Sequence, residues 1–200
     1  MNKFDRAMTR QPLVPLLELE AFGPAFKGMS EKTAKKTGRL SNSVRAMAHA
    51  DEMAAAVRTF LGNAGAGGSL DPELTILIRH LVSNINTCVY CSSHQLAKLV
   101  DMGVSKDKIQ NIHDYASHPA FSEKERAALD FAKALVVDSA NISDDICERF
   151  TANFNPRERV EIALATTAMD VLNKFNDGMR IPIDDEAIDL ARQAADGFKI

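Results

Sequence analysis

Residues 69–105 read SLDPELTILIRHLVSNINTCVYCSSHQLAKLVDMGVS, and two helices can be written directly onto them. Asp71 followed by Pro72 is a helix start: the carboxylate can accept from a free backbone N–H, and proline fits the first turn, where no donor is required of it. The apolar run ILIRHLV carries that helix to about Asn84. Thr87 or Asn86 then caps a second helix with Cys88, Cys91, His94, Leu96 and Leu99, which Gly103 stops. The two cysteines therefore fall in a helical first turn, where unpaired N–H groups and the helix dipole favour a thiolate.

Outward from this stretch the helix signals continue. Ser41 to Gly62 reads as one helix or two, with Asp51 able to cap the second half before Met53, Val57, Phe60 and Leu61. NAGAGGS, residues 63–69, has no periodicity and reads as a flexible break. It divides residues 1–62, an N-terminal helical segment, from a CxxC core at 63–200, the whole forming one compact domain. Ser105 starts a short helix through Ile109, Ile112 and Tyr115 that His118-Pro119 ends. Ser122 with Glu125 is a capping box. Ser143 opens another helix, Asn155-Pro156 opens a long one closing at Gly178, and residues 184–195 give one more. About eight helices and no strand-like alternation predict an all-α fold.

The composition narrows the function. With 46% hydrophobic residues and a net charge of −3 the chain can bury a sizeable core and carries no nucleic-acid footprint; Lys35, Lys36 and Arg39 form the densest basic cluster. No apolar window is long enough to cross a membrane and no export signal opens the chain, so a cytoplasmic protein is expected. Three cysteines do not make a disulfide framework.

Several chemistries could occupy the CxxC turn. At about 100° per residue Cys88, Cys91, His94 and Gln95 share one polar helix face, with an imidazole one turn from Cys91. The sulfurs could meet as a disulfide and the ring could move a proton. Covalent haem needs a histidine directly after the second cysteine, where Ser92 stands. Structural zinc takes four ligands, and Cys147, a core or semi-exposed thiol, lies 56 residues beyond Cys91. Two buried thiols acting as small hydrophobes is the bland alternative.

The L-x-P helix opening, the N-x-C-x-Y-C-x-x-H core and the trailing A-x-x-x-G-V resemble the carboxymuconolactone decarboxylase-like superfamily, in its AhpD-like alkylhydroperoxidase branch. FSEKERAALDFAKAL and VLNKFNDGMRIPID extend the resemblance over roughly residues 40–184. It implies an obligately oligomeric helical bundle in which Cys91 attacks a hydroperoxide and Cys88 resolves the sulfenic acid as a disulfide. An external dithiol resets the pair, without bound cofactor or metal. A homo-oligomer is expected, as dimer, trimer or hexamer. Helix position alone favours Cys88 as the lower-pKa thiol.

Two family positions differ. The relay glutamate, twelve residues before the first cysteine, falls at Ile76, and the relay histidine, four after the second, falls at Gln95. His80, one turn from Ile76, and His94, beside Gln95, are the expected replacements, with Glu73 a weaker one. NKFND at 173–177 reads as a polar cluster closing a helix or lying at a subunit contact. His49, His113 and His118 read as surface groups, and Met47 and Met53 as core. The alternative functions are a disulfide reductase with weak peroxidase activity, a redox-sensing oligomeric scaffold, and a lactone decarboxylase or isomerase.

Overall fold

The helix start at Asp71 and the stop at Gly103 are realised in the computed structural model, which describes residues 3–196. Asp71 accepts from the Glu73 amide at 3.1 Å to open α5, Pro72–Ile85, and Gly103, at φ +75°, ends the turn after α6, Val89–Asp101. Capping boxes at Ser122 and Asn155 open α8, Glu123–Val137, and α10, Pro156–Gly178. Around these stand α1 (Lys3–Thr9), α2 (Pro24–Thr37), α3 (Asn42–Met47), α4 (Asp51–Ala66), α7 (Lys106–Gln110), α9 (Asp144–Asn153) and α11 (Ile188–Asp196). Among the described residues all regular structure is helical, in eleven α-helices and three short 3-10 turns.

The helix count exceeds the expected eight because α1 and α2 lack a strong apolar period. In α2 only Phe26 and Ser30 are buried. Its N-terminus is capped from a distance: the Asp51 carboxylate accepts from the Ala25 and Phe26 amides at 3.0 and 2.9 Å. Asp51 was expected to cap its own helix, but α4 begins after Ala50 without a side-chain cap, and its first acidic residue serves α2 instead. Asp51→Ala should therefore cost about 1 kcal/mol of stability through α2, not α4. Chemical denaturation reads the loss.

The break expected from residue 63 begins later. Helix α4 runs on to Ala66, and the chain turns at Gly67 and Gly68, with φ +73° and +60°. A Cβ on Gly67 would sit 2.2 Å from Thr75 Oγ1. Gly67→Ala combines that overlap with a left-handed alanine, and a fall in stability of at least about 1–2 kcal/mol is expected, seen as a lower denaturation midpoint at unchanged slope.

Helix α5 is the hub. Every residue from Leu74 to Asn84 is buried, and α5 packs against α6, α8 and α10. Leu77, Ile78 and Val82 have no exposed surface; each contributes about 1.5–3 kcal/mol relative to an exposed position. A second cluster, with Phe22, Phe26, Val44, Met47, Ala54 and Leu61, joins α2, α3 and α4 to Ala168 of α10. Met47 is buried as expected, whereas Met53 is 70% exposed. It occupies the outer face of α4, which a short apolar period did not distinguish.

The segment after α10 positions the site. Arg180, at φ +55°, ends the helix, and the Ile181 amide donates to Asn176 O at 2.9 Å, so the chain doubles back. Ile181 and Ile183 are buried in the main core, and Asp184 follows them towards α6.

Candidate active site

Thr87 takes a left-handed backbone, φ +56°, between α5 and α6, and this tight turn makes Cys88 itself the N-cap of α6. Neither Thr87 nor Asn86 fills that place. Cys88 Sγ accepts from the Cys91 amide at 3.4 Å. Both cysteines are buried free thiols; Cys147 is half-buried in α9.

The surroundings separate the two thiols. Burial pushes the Cys88 thiol well above its ordinary value, and its hydrogen bond to Cys91 pushes in the same direction. Burial also pushes Cys91 up, but hydrogen bonds from Cys88, Asn176 and Asn173 outweigh it and hold that thiol below its ordinary value. Asn176 Nδ2 donates to Cys91 Sγ at 3.2 Å, and Asn176 Oδ1 accepts from Ser43 Oγ at 2.7 Å, which fixes the amide's orientation. Asn173 donates to Ser83 Oγ and accepts from Asn86 Nδ2. Asn173 and Asn176, expected to close a helix end, are instead 1% exposed and turned onto the cysteine turn. Asp177 pairs outward with Arg10.

Cys91 opens onto a cavity of about 310 Å³. Tyr90, His94, Gln95, Lys98 and Asn176 line it, with Met47, Leu61, Met169 and Leu172 as apolar wall. His94 Nε2 lies 2.9 Å from Asp184 Oδ2, the same oxygen that accepts from Tyr90 Oη at 2.8 Å, and the His94 ring packs on Tyr90 at 4.7 Å between centroids. Asp184 Oδ1 accepts from the Asn42 amide at 2.7 Å. Burial raises the Asp184 carboxyl, yet His94, the Asn42 amide and Tyr90 together hold it below the usual carboxylate range. An ionised Asp184 only accepts, so His94 Nε2 carries the hydrogen of this contact.

Cys91 and His94 line one cavity with Cys88 bonded behind Cys91, whereas His80 does not line it and its ring meets the Ser92 backbone from α5. His80, on α5, is 4% exposed, and it is absent from the cavity lining. Burial and the neighbouring His113 lower it to about 4, so its ring is neutral near pH 7. His113, expected at the surface, is thus a half-buried neighbour of His80. Ile76 and Gln95, the two family relay positions, are both buried; Gln95 Oε1 accepts from Arg79 Nε at 3.2 Å. Glu73 pairs with Lys108, away from the cavity. Sequence reasoning missed Asp184, 90 residues from His94. Only its place at the end of VLNKFNDGMRIPID could have drawn attention to it.

Residues 51–134 match the carboxymuconolactone decarboxylase family. That match covers less than half of the chain and supports a likeness to the carboxymuconolactone decarboxylase-like superfamily. The protein is 27% identical over 113 residues to YnjA of Escherichia coli K12, an uncharacterised protein; the match spans 56% of this chain and 62% of YnjA, less than two thirds of that relative. The fold is shared with the debrominase Bmp8, solved as a cysteine-to-alanine variant with 2,3,4-tribromopyrrole, at TM-score 0.79 and 21% identity over 96% of this chain and all of that one. It is shared equally with an AhpD-core, peroxidase-related protein of Ralstonia eutropha JMP134, at TM-score 0.77 and 21% identity over 92% and 98% of the two chains. Among the described residues no helix is long and apolar enough to cross a membrane.

Proposed function

We propose that the protein is a thiol-dependent oxidoreductase in which Cys91 attacks the substrate and Cys88 resolves it. The observation that carries this reading is the divided environment of the pair: donors from Asn173 and Asn176 converge on Cys91, at the cavity, while Cys88 lies behind it as the cap. With a hydroperoxide, the Cys91 thiolate attacks the terminal oxygen and the O–O bond breaks. The alkoxide takes a proton and leaves as an alcohol, and Cys91 becomes a sulfenic acid. Cys88 then attacks that sulfur, water leaves, and the disulfide forms. An external dithiol returns two electrons and is itself oxidised. His94, held by Asp184, is the proton carrier in place of the family's missing histidine.

His80 has no contact with the cavity to support the relay expected of it. His80→Gln is expected to leave the rate of Cys91 oxidation unchanged, as read by stopped-flow thiol loss; a clear slowing would return His80 to the mechanism. Rapid thiol loss with an alkyl hydroperoxide, followed by repeated turnover with a dithiol, tests the main reading. Thiols that oxidise once and change only the assembly state would refute it in favour of a redox-sensing scaffold. A homo-oligomer belongs to the same proposal, since α10 leaves Val160, Leu164 and Val171 exposed; light scattering after size exclusion measures it.

A second reading is favoured by the apolar wall of Met47, Leu61, Met169 and Leu172 in so small a cavity. Reductive removal of halogen from an aromatic ring, the class of reaction for which the debrominase is named, would consume the same two thiols: the aryl bromide becomes the arene, bromide and a proton are released, and the disulfide forms. Bromide release from tribromopyrrole, with peroxide consumption measured in parallel, separates the two.

A further inference from the structure

We propose that the cavity beside Cys91 recognises a small organic anion: a substrate with an apolar body against Met47, Leu61, Met169 and Leu172 and a carboxylate directed to Arg58 and Lys98, with Arg79 behind them. This rests on the thiol reading above and names the class of molecule its site would take.

Arg58 of α4 and Lys98 of α6 line the cavity with Cys91. Arg79 of α5 is 5% exposed and its Nε is spent on Gln95, a residue of the same lining, while its Nη1 has no hydrogen-bond partner. The guanidinium lies against the α4 backbone, where a Cβ on Gly65 would stand 2.6 Å from Nη1. Only a glycine leaves room for it there.

None of these three cations has a carboxylate within ion-pair distance among the described residues. Asp101 lines the adjoining cavity with Lys98 but does not pair with it. Lys108 is the contrast, held between Glu73 and Glu125. Arg39, a fourth cation of the lining, is already matched by Glu186 and Asp184.

Three positive charges gathered at a partly closed site with only the Cys91 thiolate opposite them, and no carboxylate, are unfavourably placed. Burial and repulsion from Arg58 outweigh the attraction of Cys91 and hold Arg79 below its ordinary value, and Lys98, exposed at the cavity rim, feels repulsion from Arg79 and Arg58. A carboxylate between Arg58 and Lys98 would relieve the repulsion. The volume, at the small end of the range for ligand sites, restricts the occupant to a small molecule.

Calorimetry on the reduced full-length protein at low ionic strength tests the site apart from any turnover, with hexanoate and hexanamide as probes. Hexanoate should bind at least about tenfold more tightly than the amide, the value of one charge-assisted hydrogen bond. That preference should collapse in an Arg58→Gln, Lys98→Gln double variant whose helicity is unchanged, and weaken as salt is added. Equal affinities, or no binding of either, would overturn the proposal. Such a result is expected if Arg79 serves only the Cys91 thiolate, or if a second copy's carboxylate neutralises the cluster. Turnover of a carboxylate-bearing alkyl hydroperoxide and its methyl ester is then compared. If neither is consumed while hexanoate is preferred, the peroxidase reading fails and the anion site stands; if both are consumed equally and hexanoate is not preferred, the reverse holds.

Discussion

Cys91→Ser is expected to abolish peroxide-driven thiol oxidation, leaving only the slow background reaction of Cys88. A hydroxyl in place of the thiolate cannot attack the O–O bond, and the remaining Cys88 is held protonated by its burial. Cys88→Ser should behave differently. Cys91 should still react once, giving a sulfenic acid that a dimedone probe traps, but no disulfide should follow and dithiol-driven turnover should stop. Thiolate absorbance against pH completes the comparison: the thiol left in Cys91→Ser should titrate above the ordinary range. Asn176→Leu should raise the Cys91 titration, because it removes the donor at 3.2 Å from the sulfur. If the two single-cysteine variants exchange behaviours, the attacking and resolving roles are reversed.

Asp184 should give the second large effect. Its carboxylate, 5% exposed, serves His94, Tyr90 and the Asn42 amide at once. Asp184→Ala strands all three donors, and about 3–5 kcal/mol of stability should be lost, as for removal of one partner from a buried charged pair. Because folding depresses the Asp184 pKa, its contribution is fully present above the unfolded value of about 4 and is lost as pH falls through the lower folded value. Denaturant midpoints measured from neutral to acid pH should therefore converge between wild type and variant at low pH. Asp184→Asn preserves the shape but cannot accept from every donor. It should slow Cys91 oxidation by up to about 10²-fold, the low end for loss of acid–base assistance, and should change the pH profile of the rate. A lower rate with an unchanged pH profile would make Asp184 structural only.

The extent to which the sequence could be read varied with the range of the interaction. Asp71-Pro72, the Ser122–Glu125 box and Gly103 act within a few residues, and the elements they predict are present. Helix α2 was invisible because its cap, Asp51, belongs to another helix. The same holds at the site. Cys88, Cys91 and His94 share one turn of one helix, so spacing alone placed them together. His80 shares the periodicity of Ile76 but lies away from the cavity, since position along a helix does not say which neighbour covers that face. Asn176 stood out as part of a polar run, yet its role depends on α10 crossing the cysteine turn.

The sequence by itself determined that this is a helical protein with a CxxC at a helix start, because caps, periodicity and i to i+3 spacing are local and survive without knowledge of the rest of the chain; its motifs added a resemblance to the carboxymuconolactone decarboxylase-like superfamily. Only the tertiary structure decided which groups surround that pair. The asparagines on Cys91, the Asp184 carboxylate on His94, and the unmatched charges of Arg58, Arg79 and Lys98 come from segments tens of residues apart. Their electrostatic effect on a sulfur exists only when packing removes water and brings them within a few ångströms.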